Sequence, residues 1–210
     1  PAPVAPNRAR DLLADPTQPG TLFVITGTSG GGKDSIIAIL QGRGVPFHKA
    51  CTVLTREPRP GEQHGREHLF ISDAEFQQWQ REGRFLEWAE VYGNRYGTPR
   101  DQVEPFLARG EDVALRVDVQ GAQTVLGLIP DAVAIFIAPP DADEGFRRLE
   151  IRDSNEITDL ERRLAAFEEE MAFACTGAQM VINYTGEQEA AADEVAAIMA
   201  AHRDAIPDPA

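Results

Sequence analysis

The sequence has little of what a secreted, membrane-bound or nucleic-acid-binding protein needs. Its two cysteines, Cys51 and Cys175, are too few for the disulfide framework of a small secreted domain. No apolar run approaches the roughly 20 residues of a membrane-spanning helix, and residues 1–6 lack the basic and apolar regions of a signal peptide. With a net charge of −14, the chain is also an unsuitable partner for a polyanion. We therefore expect a cytoplasmic protein.

What the 210-residue chain does contain is an alternation of short apolar runs and amphipathic segments. This alternation favours an α/β fold, in which helices cover both faces of a parallel sheet. The predicted strands are residues 21–26, 113–118, 132–138 and 180–183. The predicted helices are residues 35–41, 120–128, 141–151, 158–174 and 187–202. Residues 1–19 carry five prolines and no apolar periodicity, so we expect a disordered tail there.

Residues 51–97 interrupt the alternation. They contain several β-type pieces and one short helical pattern at residues 73–82. We therefore expect an inserted, mostly antiparallel subdomain in this part of the chain.

A glycine-rich segment directly follows the first predicted strand. Its spacing, Gly-x4-Gly-Lys between a strand and a helix, is that of a phosphate-binding P-loop. Glycines let successive backbone N–H groups turn towards an oxyanion, and the following helix points its positive end at the phosphates. The lysine adds a full positive charge for the β and γ phosphates of a nucleotide. The predicted ATP-binding residues are Gly27, Thr28, Ser29, Gly30, Gly31, Gly32, Lys33, Asp34 and Ser35.

One position departs from this motif. The residue after the lysine is normally Ser or Thr, whose hydroxyl binds Mg²⁺, but here it is Asp34. A carboxylate is a good hard ligand for Mg²⁺. Aspartate is also a common helix cap. Both roles for Asp34 stay open at this stage.

From Lys33 onward the sequence resembles guanylate kinase, over nearly all of residues 20–200. The resemblance is carried by Thr55-Arg56-Glu57-Pro58-Arg59-Pro60-Gly61-Glu62, by residues 85–98, by Val117-Asp118-Val119-Gln120-Gly121 and by the arginines between 147 and 163. It implies a P-loop kinase that uses ATP, Mg²⁺ and GMP. It also implies three parts: a core (20–51, 99–141 and 173–205), a GMP-binding insert (52–98) and a helical lid (142–172).

The resemblance implies a set of acceptor-site residues in the insert and at the end of one core strand. Arg56 and Arg59 lie three positions apart, and two guanidinium groups on one loop can grip a phosphate from two sides. Ordinary surface charge is the alternative for both arginines. The predicted GMP-binding residues are Thr52, Arg56, Arg59, His68, Glu87, Tyr96, Thr98 and Asp118.

Glu87 is the residue predicted to read the base. Guanine presents N1–H and N2–H₂ as adjacent donors, and a carboxylate accepts from both. Adenine cannot offer that pair. A solvent-facing strand glutamate is the alternative. Thr98 matches a hydroxyl position near the guanine O6.

His68 departs from the family pattern, which has tyrosine there. A histidine can also donate to the GMP phosphate, but its charge depends on pH. We expect a protonated His68 to hold GMP better, with the change between about pH 6 and 8. A surface histidine without a role is the alternative.

Asp118 ends an apolar strand, as a metal-binding carboxylate of a P-loop enzyme does. It would hold a magnesium-bound water, touch the acceptor or cap the next helix. Arg148, Arg152 and Arg163 match the lid arginines of the family, and with Lys33 they form the predicted catalytic set. Asn183 is predicted near the adenosine, and the acidic run 168–170 is interpreted as a solvated helix face.

Two other functions fit parts of the sequence. Ribose 1,5-bisphosphate phosphokinase also has Gly-Lys-Asp in its P-loop, and His68 resembles its pattern. Scaffold proteins contain guanylate-kinase-like domains that have lost the phosphate loop and recognise peptides. Glu87 and Thr98 count against the first alternative, and Lys33 counts against the second.

Overall fold

The computed structural model describes residues 19–59, 61–66, 68–91, 93–152, 160–174 and 176–204. The strands are β1 (Leu22–Gly27), β2 (His48–Lys49), β3 (Thr52–Leu54), β4 (His68–Phe70), β5 (Phe85–Val91), β6 (Asn94–Pro99), β7 (Val113–Arg116), β8 (Val133–Ala138) and β9 (Gln179–Ile182). The helices are α1 (Lys33–Gly42), α2 (Asp73–Arg81), α3 (Glu104–Ala108), α4 (Val119–Leu128), α5 (Ala142–Arg152), α6 (Leu160–Ala174) and α7 (Gln188–Asp204).

The core sheet is parallel throughout. Its strand order is β2-β7-β1-β8-β9, and every pairing between neighbours is parallel. The carboxyl ends of all five strands therefore lie at one edge, which is where α/β proteins bind their ligands. The predicted α/β fold is confirmed.

Strand β1 is central, and its side chains alternate between two cores. Leu22 and Val24 face a cluster formed with α3, α4 and α6, whereas Phe23 and Ile25 face a cluster formed with α1 and α7. A strand buried on both faces needs a continuous apolar run rather than an alternating one. The segment Leu22–Gly27 is buried along its whole length.

The segment between the core strands β2 and β7 contains a second sheet, with the order β4-β3-β6-β5. Only the β3–β4 pairing is parallel, and the two others are antiparallel. Helix α2 is capped by Ser72, whose hydroxyl accepts the Glu75 N–H at 3.2 Å. It packs Phe76 against Val53 and Phe85 in a small apolar core of its own.

The predicted elements form with boundary shifts of a few residues. The strand predicted at 113–118 ends at Arg116, and Asp118 serves instead as the N-cap of α4. Strand β2 and helix α3 were not predicted, since neither is long enough to show a periodic pattern. The predicted tail, apart from Pro19, lies outside the described residues. In the described part of the chain, none of the helices combines the length and the hydrophobicity of a bilayer span.

Candidate active site

The glycine-rich loop between β1 and α1 has the conformation that its glycines permit. Gly27, Gly30 and Gly32 have φ values of 139°, 81° and 90°, in the range that residues with a side chain avoid. A Cβ atom on Gly32 would lie 2.3 Å from Asn183 Nδ2, and one on Gly30 would lie 2.4 Å from the Gly145 carbonyl oxygen. The loop is therefore packed too closely for any other residue at these positions.

The side chain of Lys33 lies back along the loop. Its Nζ donates to the carbonyl oxygens of Gly27 at 2.7 Å and Thr28 at 2.9 Å. The ammonium group therefore lies beside the first two residues of the loop. Ser35 is exposed on the first turn of α1.

Asn183, the residue directly after β9, supports the phosphate loop through its side chain. Its side-chain Nδ2 donates to the Gly31 carbonyl oxygen at 2.8 Å, and its backbone N–H continues the sheet by donating to Ala138 at 2.8 Å. The side chain is 2% exposed. Its Oδ1 has no hydrogen-bond partner among the described residues. In this structure the residue predicted near the adenosine holds the phosphate loop.

Asp34 does not cap its helix. The N-cap position of α1 is Gly32, where no side chain bonds to the first turn. The capping alternative for Asp34 is therefore wrong. Its carboxylate forms an ion pair with Arg116, from Oδ1 to Nε at 3.0 Å.

Arg148 reaches from α5 to the loop that follows β9. Its Nη2 donates to the Asn183 carbonyl oxygen at 2.8 Å and to Thr185 Oγ1 at 3.0 Å, and its Nε donates to Glu144 at 2.7 Å. Its Nη1 lies 3.4 Å from the Gly30 carbonyl oxygen. Arg148 thus ties helix α5 to the phosphate loop.

Glu170 on α6 contacts the phosphate loop directly. Its Oε2 accepts the Ser29 backbone N–H at 3.0 Å, and its Oε1 lies 3.4 Å from the Ser29 hydroxyl. Burial raises the pKa of the carboxyl, although the contacts with Ser29 and the charge of Lys33 oppose the shift. The interpretation of residues 168–170 as a purely solvated face is therefore wrong for Glu170. The repetitive acidic run gave no signal that one member points inward.

Glu87 and Thr98 form a buried pair in the second sheet. They face each other across β5 and β6, and Thr98 Oγ1 donates to Glu87 Oε1 at 2.5 Å. Glu87 is 6% exposed, so the solvent-facing alternative is wrong. Burial, with a smaller contribution from the charge of Asp118, raises the pKa of Glu87 to about 7.

Asp118 lies beside this pair at the start of α4. Its Oδ1 accepts the Gly121 backbone N–H at 2.8 Å and so caps the helix. A Cβ on Gly121 would lie 3.3 Å from Asp118 Oδ1 and 3.4 Å from Glu87 Oε2. The lack of a side chain at Gly121 lets the two carboxylates share one region. Capping leaves the second Asp118 oxygen available to a ligand.

His68 is buried and lies in a short chain of hydrogen bonds. Its Nδ1 lies 2.8 Å from Thr52 Oγ1, and its Nε2 lies 3.1 Å from Arg116 Nη2. Burial, followed by the charge of Arg116, lowers the pKa of His68 to about 4. Arginine can only donate, so Nε2 accepts and Nδ1 carries the proton that Thr52 accepts. The alternative of a surface histidine is wrong, and so is the expectation that His68 titrates between about pH 6 and 8.

A carboxylate already lies between the two loop arginines. Glu62 accepts from Arg56 through two hydrogen bonds, at 2.7 and 2.8 Å, and from the Arg59 backbone N–H at 2.8 Å. The bonds from Arg56 are the main cause that lowers the pKa of Glu62 to about 2. Arg56 also interacts with the side chain of Tyr96. These contacts form an anion site in which Glu62 is the anion.

The backbones of Arg152 and Arg163 belong to α5 and α6, but their side chains lie outside the described residues. Sequence reasoning missed Arg116 as well as Glu170. Arg116 is the last residue of β7, two positions before Asp118, and this position is the one signal that could have pointed to it.

A parallel sheet whose central strand runs into a phosphate loop, opposite a second sheet with a buried carboxylate, defines a P-loop phosphotransferase. The family model for guanylate kinase matches residues 19–201. The chain belongs to the guanylate kinase family, as its motifs predicted.

Known members support this assignment. Guanylate kinase from Rubrobacter xylanophilus is 45% identical over 153 residues, covering 73% of this chain and 80% of that protein. The enzyme from Bordetella pertussis is 40% identical over 184 residues, covering 88% and 85%. The crystal structure of guanylate kinase from Anaplasma phagocytophilum matches with a TM-score of 0.71 and 27% identity, covering 89% of this chain and 88% of that one.

Proposed function

We propose that the protein transfers the γ-phosphoryl group of ATP to GMP, giving ADP and GDP. The observation that carries the proposal is the buried Glu87–Thr98 pair, in a chain that also has an intact phosphate loop. An oxygen of the GMP phosphate attacks the γ-phosphorus, and the bond from that phosphorus to the bridging oxygen of ADP breaks. The protein contributes positioning and charge stabilisation.

Glu87 would read the guanine base. Its carboxylate accepts from N1–H and N2–H₂ together. Thr98, which lies at hydrogen-bond distance from Glu87, would contact the guanine near O6. Burial makes an unpaired Glu87 anion costly, and two base donors would compensate that cost. The site therefore favours a ligand that offers two adjacent donors.

Arg56, Arg59 and Tyr96 would hold the GMP phosphate. In the structure the Arg56 guanidinium donates to Glu62. The phosphate would therefore share that guanidinium with Glu62 or displace the carboxylate. Thr52 and His68 line the same side of the insert. Asp118 would meet the acceptor through the oxygen that does not cap α4.

The phosphate loop would bind ATP through its backbone N–H groups and Lys33. Arg148, Arg152 and Arg163 are the lid arginines, and we propose that Arg152 and Arg163 meet the γ-phosphoryl group. The three-part division into a core, a GMP-binding insert (52–98) and a lid (142–172) belongs to this proposal. In this division the phosphate loop lies in the core, the base site lies in the insert and the lid arginines lie in the lid.

The donor set fits a magnesium ion. No three His, Cys, Asp or Glu side chains cluster to form a complete metal site in the described part of the chain. Mg²⁺ needs no such cage, because it keeps several waters and binds through one or two carboxylates and the substrate phosphates. Asp34 would supply one carboxylate and Asp118 a second. A bound Mg²⁺ would neutralise charge on the β and γ phosphates.

The test is ADP production with GMP, AMP, UMP and ribose 1,5-bisphosphate offered as acceptors in parallel. We expect turnover with GMP and at most weak turnover with the others. A preference for ribose 1,5-bisphosphate would instead assign the chain to the sugar-phosphate kinases. No turnover with any acceptor would leave a binding module.

A further inference from the structure

We infer that Arg116 is a further catalytic residue, which contacts the phosphoryl group as it passes between ATP and GMP. The inference rests on the proposed function, because it needs a phosphoryl group in transit. It adds to the lid arginines a cation that belongs to the rigid core sheet.

Arg116 lies at the place where the two substrate sites meet. It is the last residue of β7 and pairs in register with Ile25 of β1, two residues before the phosphate loop begins at Gly27. The carboxyl edge of a parallel sheet is where such enzymes bind their ligands. The side chain is 24% exposed, so it is fixed by its surroundings but still open to solvent.

The guanidinium group contacts both sites at once. Its Nε lies 3.0 Å from Asp34 Oδ1, on the first turn after the phosphate loop. Its Nη2 lies 3.1 Å from His68 Nε2, which reaches Thr52 on the acceptor side. Its Nη1 takes part in neither of these two contacts. The planar guanidinium thus spans the gap between the ATP side and the GMP side of the site. Its Nη1 group remains as a further hydrogen-bond donor.

Neither partner neutralises the charge of Arg116 effectively. The side chain of Asp34 is 66% exposed, and water screens such a pair. His68 is a neutral acceptor because burial lowers its pKa to about 4. Arg116 therefore retains most of its charge for a ligand.

Other cations of the site are engaged differently. Arg56 forms two hydrogen bonds to Glu62, and Arg148 is bonded to Glu144. In phosphoryl transfer, negative charge spreads over the equatorial oxygens of the moving group. A planar guanidinium can donate to two such oxygens in a fixed bidentate geometry, which a flexible ammonium group does not provide. Arg116 has the location and the geometry for this task.

The experiment measures steady-state kinetics with ATP and GMP for Arg116→Gln, in the wild-type and in the Asp34→Ser backgrounds. We expect kcat to fall by about 10²-fold or more in both backgrounds, by analogy with the loss of a donor to a developing oxyanion. KM for each substrate should change by only a few fold, because the contact strengthens in the transition state. Arg109→Gln is the matched control, since Arg109 is exposed and pairs with Glu111.

Two results would overturn the inference. If Asp34→Ser/Arg116→Gln turns over like Asp34→Ser, Arg116 only neutralises Asp34. If Arg116→Gln raises KM for GMP and leaves kcat unchanged, Arg116 only orients His68. A wild-type protein that does not turn over GMP would instead refute the proposed function itself.

Thermal melting checks that the variants fold. If Arg116→Gln does not fold, Arg116→Lys decides, because it keeps the charge beside Asp34 but loses the planar fork. We expect a fall in kcat of about tenfold for a folded lysine variant. An unchanged kcat with lysine would then overturn the inference.

Discussion

At the scale of single residues, burial disfavours the charged forms of the two titratable groups that we propose for the acceptor site, Glu87 and His68. Burial raises the pKa of the Glu87 carboxyl to about 7 and lowers that of the His68 imidazole to about 4. The directions are opposite because burial disfavours the charged form of each group. The free site is thus less charged than its composition implies. The two groups respond to pH in different windows.

Glu87 should make the stability of the free protein fall as pH rises. Between its ordinary pKa of 4.5 and about 7, the folded state binds more protons at Glu87 than the unfolded state does. The cost above pH 7 is on the order of 3 kcal/mol. We expect urea unfolding to show that Glu87→Gln gains stability relative to wild type between pH 5 and 8. Parallel pH profiles for the two proteins would contradict this.

The same substitution should impair GMP recognition. Glutamine presents one acceptor and one donor where guanine offers two donors. We expect kcat/KM for GMP to fall by about 10²-fold or more, since the donor left unpaired is buried. KM for ATP should stay as in wild type. Unchanged GMP kinetics would remove Glu87 as the residue that reads the base.

His68 should not act as a pH switch near neutrality. Its lowered pKa leaves it neutral above about pH 5, so its contribution to stability declines only as pH falls from 6.5 towards 4. We expect the ratio of GMP affinities between wild type and His68→Tyr to be flat from pH 6 to 8. The titration of the GMP phosphate is common to both proteins and cancels. A ratio that changes over this range would show that His68 titrates there.

At the scale of elements, the contact between α6 and the phosphate loop makes the Glu170 carboxylate a competitor of a nucleotide phosphate. The carboxylate of Glu170 accepts the Ser29 N–H at 3.0 Å, in a loop built to bind phosphate oxygens. An arriving nucleotide therefore meets a like charge that already uses one loop donor. Helix α6 would have to shift, or Glu170 to reorient, for that donor to reach a phosphate.

Glu170→Gln should therefore tighten the binding of ATP in the absence of GMP. Loss of the charge-assisted bond and of the repulsion should amount to roughly 1 kcal/mol, or about fivefold in affinity. Calorimetry with a non-hydrolysable ATP analogue measures the change. Glu169→Gln is the control, because Glu169 is exposed on the same helix. Equal affinities for both variants would mean that the Glu170 contact does not compete with ATP.

At the scale of the whole molecule, the proposed site residues are distributed over separate elements. The proposed base site lies on β5 and β6, the phosphate loop follows β1, and the proposed lid arginines lie on α5 and α6. The second sheet has its own small apolar core, separate from the two cores of the main sheet. Chemistry that excludes water requires these parts to close together.

We expect the radius of gyration to fall when GMP and a non-hydrolysable ATP analogue are added together. Either ligand alone should produce a smaller change, because each contacts only part of the site. Small-angle X-ray scattering of the free, singly bound and doubly bound protein measures this. Identical scattering curves in all four states would show that the parts do not move.

Much of the fold and part of the site follow from the sequence by itself. The phosphate loop is a contiguous motif, so its spacing determines where successive N–H groups point. The apolar run of β1 required burial on both faces, and the parallel sheet followed from the alternation of strands and helices. The sequence analysis assigned Glu87 and Thr98 to one site, because both belong to motifs of one family, but it did not predict the hydrogen bond between them.

Only the tertiary structure decided which remote side chains meet. Glu170 reaches Ser29 across 141 positions, and Arg116 reaches His68 across 48. Such contacts depend on the strand order β2-β7-β1-β8-β9 and on how the second sheet lies against it. Local patterns carry propensity and periodicity, but they do not encode the partner of an individual charged group. Burial, which lowers the pKa of His68 and raises that of Glu87, is likewise a property of the packed molecule.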